Sequence, residues 1–346
     1  MRNPFIAGSW VRGENFFGRA GMLREILEGE RHSVWVVGAR RLGKTSVLKE
    51  LEWRAQQGSQ TAFAPLYWDL QGSGDARGMA DALLGSVEDT EAFRRATGIS
   101  VEDLESLAVT EMLTTLIRRT VRSGWRLLLL VDEAEELLTV ARADPGLLAR
   151  LRRLLQKGTE VRTVMTSTKR LARIDERTDF ATSPFLLGFI PPLYLTPLAP
   201  DECRALLARG SFTASEVQVV MERTANHPFL VQLIASRVFE SRDLAGTLDQ
   251  VMADEMVSNF FSVDFQTLDE AERTILEEVA REGRRSGREL AQVTGTDEEA
   301  VAPLLFGLRM MGYLAEEGGQ YRVGNWFFDR WLRRVAAGRA REARPV

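Results

Sequence analysis

Ser33 to Leu51 reads SVWVVGARRLGKTSVLKEL. A short apolar run, Val34 to Val37, stops at Gly38; Gly43, Lys44 and Thr45 follow, and then apolar residues recur at helical spacing (Val47, Leu48, Leu51). The spacing predicts a buried strand, a glycine-bearing loop and a helix, in that order. Gly38 to Thr45, GARRLGKT, fits the pattern G-x-x-x-x-G-K-[ST]. In such a loop the glycines let backbone N–H groups turn inward around the phosphates of a nucleotide, and the following helix N-terminus adds its positive dipole end. Lys44 is expected to reach the β- and γ-phosphates, and the Thr45 hydroxyl to take a place on Mg²⁺. Arg41, Leu42 and Ser46 complete the residues expected to line the phosphates together with Gly38, Gly43, Lys44 and Thr45.

The composition sharpens that reading. Only Lys44, Lys49, Lys157 and Lys169 are lysines among 45 basic residues, so a positive charge in this chain is ordinarily arginine. A lysine between a glycine and a threonine points to a compact charge on a reaching stem. The chain has 346 residues, 45% hydrophobic, and a net charge of −4, which fits two or three ordinary domains and advertises neither nucleic acid nor a membrane surface. His32 and His227 are the only histidines, leaving little for a histidine-rich metal site or a Ser-His-Asp triad. Cys203 stands alone, so no intrachain disulfide forms and a reducing compartment fits. No signal peptide is evident at the start, and the purest apolar run, Leu127 to Val131, is far too short to span a bilayer. The expected location is cytoplasmic.

A second strand with chemistry at its end lies in GWRLLLLVDEAEEL, Gly124 to Leu137. Five apolar residues run into Asp132 and Glu133, at the strand edge where α/β sheets place their ligands. Asp132 is expected to hold the Mg²⁺ shell, mostly through water, because Mg²⁺ prefers hard oxygens and keeps its hydration. Glu133 is expected to act as general base or to orient a water toward the γ-phosphate. Glu135 and Glu136 read as the acidic first turn of a helix. Thr61 to Gln71 reads as another strand, with Asp69 near its end, and Leu193 to Leu198 as an edge strand. Val161 to Thr168 reads as a third strand after the Asp-Glu one, whose tail Thr166-Ser167-Thr168 offers hydroxyls either to the γ-phosphate or merely to a turn. Strands alternating with helical segments imply an α/β fold, a doubly wound parallel sheet. Gly85 to Thr110 reads as a helical insertion without a site.

With these pieces in place the chain resembles STAND and archaeal-type P-loop ATPases of the AAA+ superfamily. NPFIAGSWVRGENFFGRAGMLREIL, Asn3 to Leu27, is similar to the segment that precedes the nucleotide loop there and helps wall the adenine pocket. The resemblance makes Phe17, Gly18 and Arg19 adenine-side candidates. TANHPFLVQLIA, Thr224 to Ala235, resembles the family's lid motif whose proline approaches the base, with His227 and Pro228 matching and Asn226 where a glycine is frequent. A turn and helix start would need the same residues. The resemblance implies an ATPase domain over residues 1–198, including the adenine-side segment 3–27, a helical lid over 199–264 and a winged-helix domain over 265–335. Residues 336–346 are expected to form a disordered tail.

The winged-helix reading rests on amphipathic helices, on AEEGGQYRV as a hairpin wing with Gly318-Gly319 at its tip, and on the aromatic NWFFDRWLRR. Gln266 to Val335 carries 13 acidic residues against 10 arginines, and the presumed recognition helix opens with Asp297-Glu298-Glu299. A helix entering a DNA groove should be basic near its start, so a protein contact is preferred over DNA, although Arg284, Arg285 and Arg288 form a basic cluster. The leading expectation is an ATPase with ATP (or ADP) and Mg²⁺ as cofactors. It would act as a switch or assembly factor through a protein partner or self-assembly, without a membrane. The alternatives are a DNA-acting AAA+ ATPase and a nucleotide binder without turnover. Arg170, Arg173 or Arg177 could act as an arginine finger in trans.

Overall fold

The computed structural model describes residues 2–57, 62–175 and 184–342. The chain forms two compact units, one from Trp10–Gly38 and Lys44–Leu193, the other from Met1–Ser9, Ala39–Gly43 and Tyr194–Val346.

The first unit is an α/β layer structure. Its strands are β1 (Ser33–Val37), β2 (Phe63–Asp69), β3 (Arg126–Asp132) and β4 (Val161–Ser167); the two-residue β5 (Leu193–Tyr194) falls at the unit boundary, and the sheet order is β2-β3-β4-β1-β5. The pairs β2–β3, β3–β4 and β4–β1 are parallel. Parallel strands covered on both faces read as continuous apolar runs, and β1 and β4 are buried at every position. The register sets Asp69 beside Asp132 and Val37 beside Ser167, so the C-terminal strand ends meet at one edge. The helices are α1 (Ala20–Glu28), α2 (Lys44–Gln57), α3 (Ala76–Asp89), α4 (Glu91–Thr97), α5 (Val109–Arg122), α6 (Leu137–Ala143) and α7 (Pro145–Leu155). The expected helical insertion corresponds to α3, α4 and the start of α5. The expected strand from Thr61 is ordered from Phe63 to Asp69, Thr61 itself lying outside the described residues. The expected edge strand 193–198 stops at Tyr194; Pro197 has no N–H to donate to a ladder.

The second unit begins its helices at Pro200: α8 (Pro200–Leu207), α9 (Ala214–Thr224), α10 (Pro228–Ser241), α11 (Leu244–Ala253) and α12 (Glu255–Gln266). Then come α13 (Glu270–Glu282), β6 (Arg285–Ser286), α14 (Gly287–Thr294), α15 (Glu298–Met310), β7 (Leu314–Glu317), β8 (Gln320–Val323) and α16 (Trp326–Glu342), with the strands ordered β6-β8-β7. Gly318 and Gly319, both at positive φ (60° and 75°), make the tight turn between β7 and β8. Phe261, Phe265, Phe328 and Trp331 join α12 to α16, with Phe328 and Trp331 stacked at 5.8 Å. Residues 336–342 of the expected tail are helical instead, because nothing in AAGRARE breaks α16; residues 343–346 lie outside the described residues.

One buried cation organises the opposite, N-terminal edge of the sheet. Arg162 in β4 is 3% exposed, and its guanidinium donates to the carbonyls of Ile26, Leu27 and Gly29 at 2.7, 2.8 and 2.6 Å. Those carbonyls belong to the end of α1 and the residue beyond it, where helical acceptors lack intrahelical donors and a cation complements the dipole. Burial and the nearby Arg126 charge lower the Arg162 pKa, so the carbonyls compensate a costly group. Arg162→Met is expected to destabilise the protein by about 3 kcal/mol in urea denaturation, because several acceptors lose a charged donor. A loss below about 1 kcal/mol would mean that water replaces the guanidinium at no cost.

Candidate functional site

The loop Gly38–Thr45 leaves β1 through a hydrogen bond from the Gly38 N–H to the Ser167 carbonyl (3.2 Å) and enters α2 at Lys44. Gly43 sits at φ 99°, a conformation that only glycine adopts readily, and Arg41 at φ 59° is left-handed too. Leu42 between them is buried and anchors the loop. The Lys44 ammonium, 7% exposed, reaches back to the Gly38 carbonyl at 3.3 Å. Thr45 and Ser46 start the helix. The Ser46 hydroxyl accepts the Val11 N–H at 3.1 Å, and Glu50 accepts the Gly13 N–H at 2.6 Å, so the segment before α1 is strapped onto α2.

Asp132, 1% exposed, is the hub of the edge. Its Oδ2 accepts the Thr45 hydroxyl at 2.6 Å and the Tyr67 hydroxyl at 3.0 Å. Its Oδ1 accepts the Glu133 N–H at 3.0 Å and the Thr166 hydroxyl. Thr45 and Asp132, the two expected Mg²⁺ residues, are therefore in direct contact, and hard oxygens of a hydroxyl and a carboxylate suit Mg²⁺. Burial, Asp132 and Asp69 push the Tyr67 hydroxyl well above the usual tyrosine range, so it remains a donor. Glu133 follows at φ 49° and is half-buried, its backbone tied to Asp132.

The three hydroxyls at the end of β4 are separated by their partners. Thr166 is committed to Asp132. Ser167 accepts the Trp35 indole N–H at 2.8 Å and donates to the Thr168 carbonyl at 2.8 Å. The Thr168 hydroxyl is buried with no hydrogen-bond partner among the described residues. The Thr168 N–H is held by the Glu135 carboxylate at 3.3 Å, so Glu135 does more than serve the helix dipole. Arg170 and Arg173 lie in the 3₁₀ segment Lys169–Ile174, Arg170 exposed; Arg177 lies outside the described residues.

The adenine-side candidates fall in different units. Phe17, Gly18 and Arg19 are half-buried in the first, where Gly18 (φ 78°) and Arg19 (φ 64°) turn the chain into α1. His227 and Pro228 are in the second, where Pro228 opens α10 and His227, 8% exposed, packs edge-on to Phe260 with ring centroids 5.9 Å apart. Asn226 has φ 57°, which explains why glycine suits that position; asparagine is among the residues that tolerate it.

The loop tip has contacts that no local pattern announces. The Arg40 N–H donates to Oδ1 of Asp264 in α12 at 3.1 Å, and Oδ2 of the same carboxylate accepts the Tyr313 hydroxyl at 2.7 Å. Burial and Asp264 hold the Tyr313 pKa far above its usual value. The Arg41 guanidinium lies 4.7 Å over the Phe229 ring. In the C-terminal part, arginines are paired with carboxylates: Arg284 and Arg322 with Glu317, Arg285 with Glu278 and Glu282, and Arg309 with Glu316. No group of three or more potential metal-ligating His, Cys, Asp or Glu residues occurs among the described residues, and none of their helices is long and apolar enough to cross a membrane.

Residues 27–174 match the family model described as an AAA domain. Among solved structures, the chain is similar to the Walker-type ATPase Paby2304 of Pyrococcus abyssi, with a TM-score of 0.71 at 18% identity, covering 95% of this chain and 99% of that one. It is also similar to the ORC2 protein of Aeropyrum pernix, solved as ADPNP–ADP complexes, with a TM-score of 0.52 at 14% identity and coverage of 96% and 98%. No curated protein sequence matches. Residues 27–174 are thus similar to an AAA domain, and the chain has the α/β fold of a P-loop NTPase, with β2, β3, β4 and β1 paired in parallel. Lys44→Ala is expected to weaken ATP binding at least about 100-fold by calorimetry, since charge-assisted phosphate contacts are the strong ones; unchanged affinity would remove the loop from the site.

Proposed function

We propose that this protein is an ATP-binding, Mg²⁺-dependent and slowly hydrolysing ATPase of the STAND or AAA+ type. It acts as a nucleotide-controlled switch or assembly factor that works on a protein partner or on further copies of itself in the cytoplasm. The observation that carries the switch reading is the hydrogen bond between the Arg40 N–H and Asp264, whose carboxylate also takes the Tyr313 hydroxyl. Residues 39–43 of the phosphate loop pack with the C-terminal unit, while Gly38 and Lys44 belong to the α/β unit. Within that unit the loop tip is bonded directly to α12 and, through the same carboxylate, to the residue leading into β7. A two-state element needs such differential contacts.

In this reading Lys44 and the loop N–H groups bind the phosphates. Thr45 and Asp132 hold Mg²⁺, which neutralises charge on the phosphate oxygens when bound. Glu133 orients or deprotonates the attacking water, and the orphaned Thr168 hydroxyl contacts the γ-phosphate side. Phe17, Gly18 and Arg19 in the one unit, and His227 and Pro228 in the other, are each candidates for the base side, as the family resemblance implies. We assign residues 265–335 as a winged helix used on protein, because its arginines are largely spent on its own carboxylates. The division 1–198, 199–264 and 265–335 describes the functional parts.

Mass measurement with and without ATP tests the switch: ATP-dependent assembly, or an ATP-dependent change in protease sensitivity of residues 255–323, is expected. Neither change in a protein that binds ATP would sink the switch. An ATP-dependent gel shift at physiological salt would favour the DNA-acting alternative instead. Glu133→Gln is expected to retain ATP affinity and to lose about 100-fold in phosphate release, the scale of one general base; unaltered release would exclude Glu133 as the catalytic carboxylate.

A further inference from the structure

Tyr67 occupies a position that a phenylalanine would pack equally well. It lies in β2, in register with Leu130 of β3 and two residues before Asp69, which sits beside Asp132. Its hydroxyl nevertheless donates to Asp132 Oδ2 at 3.0 Å, the oxygen that also receives the Thr45 hydroxyl at 2.6 Å. The ring is held from the helix side as well. Lys49 places its ammonium 3.4 Å from the Tyr67 ring centroid and 3.2 Å from Glu52 Oε2. Thr45 and Lys49 are four residues apart on α2, one turn on the same face. One helix face therefore presents a hydroxyl to Asp132 and a cation to the ring whose hydroxyl binds the same carboxylate oxygen.

From this juxtaposition we infer that Tyr67 is a positioning residue for the metal-side carboxylate: it sets the rotamer of Asp132 so that Oδ2 faces the Thr45 hydroxyl, and Lys49 clamps the ring that does so. The inference rests on the reading of Thr45 and Asp132 as the Mg²⁺ residues. A carboxylate has a broad, two-fold terminal torsion, and its direction is fixed by the donors around it rather than by its own preferences. At Oδ1 the donors are the adjacent Glu133 N–H and the Thr166 hydroxyl; at Oδ2 they are Thr45 and Tyr67. Thr45 is itself a metal-side group, so Tyr67 is the donor at Oδ2 that remains on the carboxylate whichever way the threonine hydroxyl turns. Partners that orient metal-side groups change metal affinity when removed, even though they do not touch the metal. A tyrosine that merely satisfied its own hydroxyl on the nearest acceptor would leave metal affinity untouched.

The experiment separates nucleotide from metal. ATP affinity is measured by calorimetry in EDTA and in Mg²⁺, and Mn²⁺ retention in the ADP complex is followed by electron paramagnetic resonance, for the wild type, Tyr67→Phe and Lys49→Met. Tyr67→Phe is expected to leave the EDTA affinity unchanged and to weaken Mn²⁺ retention about tenfold, the usual size of such an effect. Lys49→Met is expected to move Mn²⁺ retention the same way but by less, because Lys49 touches the ring and not the carboxylate. A general loss of fold would lower both nucleotide arms together, so the ratio between them remains readable in a weakened variant. Unchanged Mn²⁺ retention in Tyr67→Phe, or an equal loss in EDTA and Mg²⁺, overturns the role of Tyr67 and leaves the ATPase reading standing. A wild type that binds no ATP in either condition overturns the ATPase reading and this inference together.

Discussion

A carboxylate that is 1% exposed must be compensated by donors, and Asp132 has four. An ionised group buried without partners costs several kcal/mol, whereas each hydrogen bond to a charge returns roughly 1.5–3 kcal/mol. The donors come from α2, β2, β4 and the chain just after β3, so satisfying one side chain fixes where four segments end. The C-terminal edge of the sheet is thus organised around a single charge. This is also the edge from which the loop Gly38–Thr45 departs. Thr45, the first hydroxyl after the loop, is held at this edge by the same carboxylate that accepts Tyr67, Thr166 and the Glu133 N–H.

The parts of this edge that were legible in the sequence are those whose signal is local. A run of apolar residues ending in Gly38, and another ending in Asp132-Glu133, each carry strand, strand end and chemistry within a dozen residues. The parts that were not legible are carried by contacts between distant segments. Tyr67 meets Asp132 across 65 positions, and its own surroundings say only that it belongs to a strand. Glu135 looks like any acid in a first helical turn, yet its carboxylate accepts the Thr168 N–H, 33 residues on. The Thr166-Ser167-Thr168 tail was recognised as a set but could not be divided, because hydroxyl direction is decided by the pleat and by Trp35 and Asp132. The extension of α16 to Glu342 is not legible because a short, arginine-bearing terminus looks solvated, while its alanines favour helix equally well.

The C-terminal part shows the same division between local and distant signals. The turn at Gly318-Gly319 announces a hairpin, and the hairpin is there. The net charge of this part is legible in the sequence, whereas the pairing of Arg284, Arg285, Arg309 and Arg322 with neighbouring glutamates is legible only in the structure. A guanidinium engaged by a carboxylate must release it before meeting a phosphate. Exposed pairs are worth little individually, so the argument concerns occupancy of the arginines and not stability.

Asp264 shows why the loop tip matters more than its pattern suggests. In the sequence SVDFQ it resembles an ordinary helical acid, yet it is 3% exposed and its two oxygens serve Arg40 and Tyr313. The backbone of a phosphate loop is normally free to spend its N–H groups on ligand. Here the N–H of Arg40 is already taken by a side chain from α12, and the neighbouring Arg41 is laid over Phe229 of α10. Gly43 turns at little steric cost, whereas Arg41 holds its left-handed conformation against a backbone preference. The loop tip is thus held twice within one unit, by the backbone N–H of Arg40 on Asp264 and by the Arg41 guanidinium over the Phe229 ring.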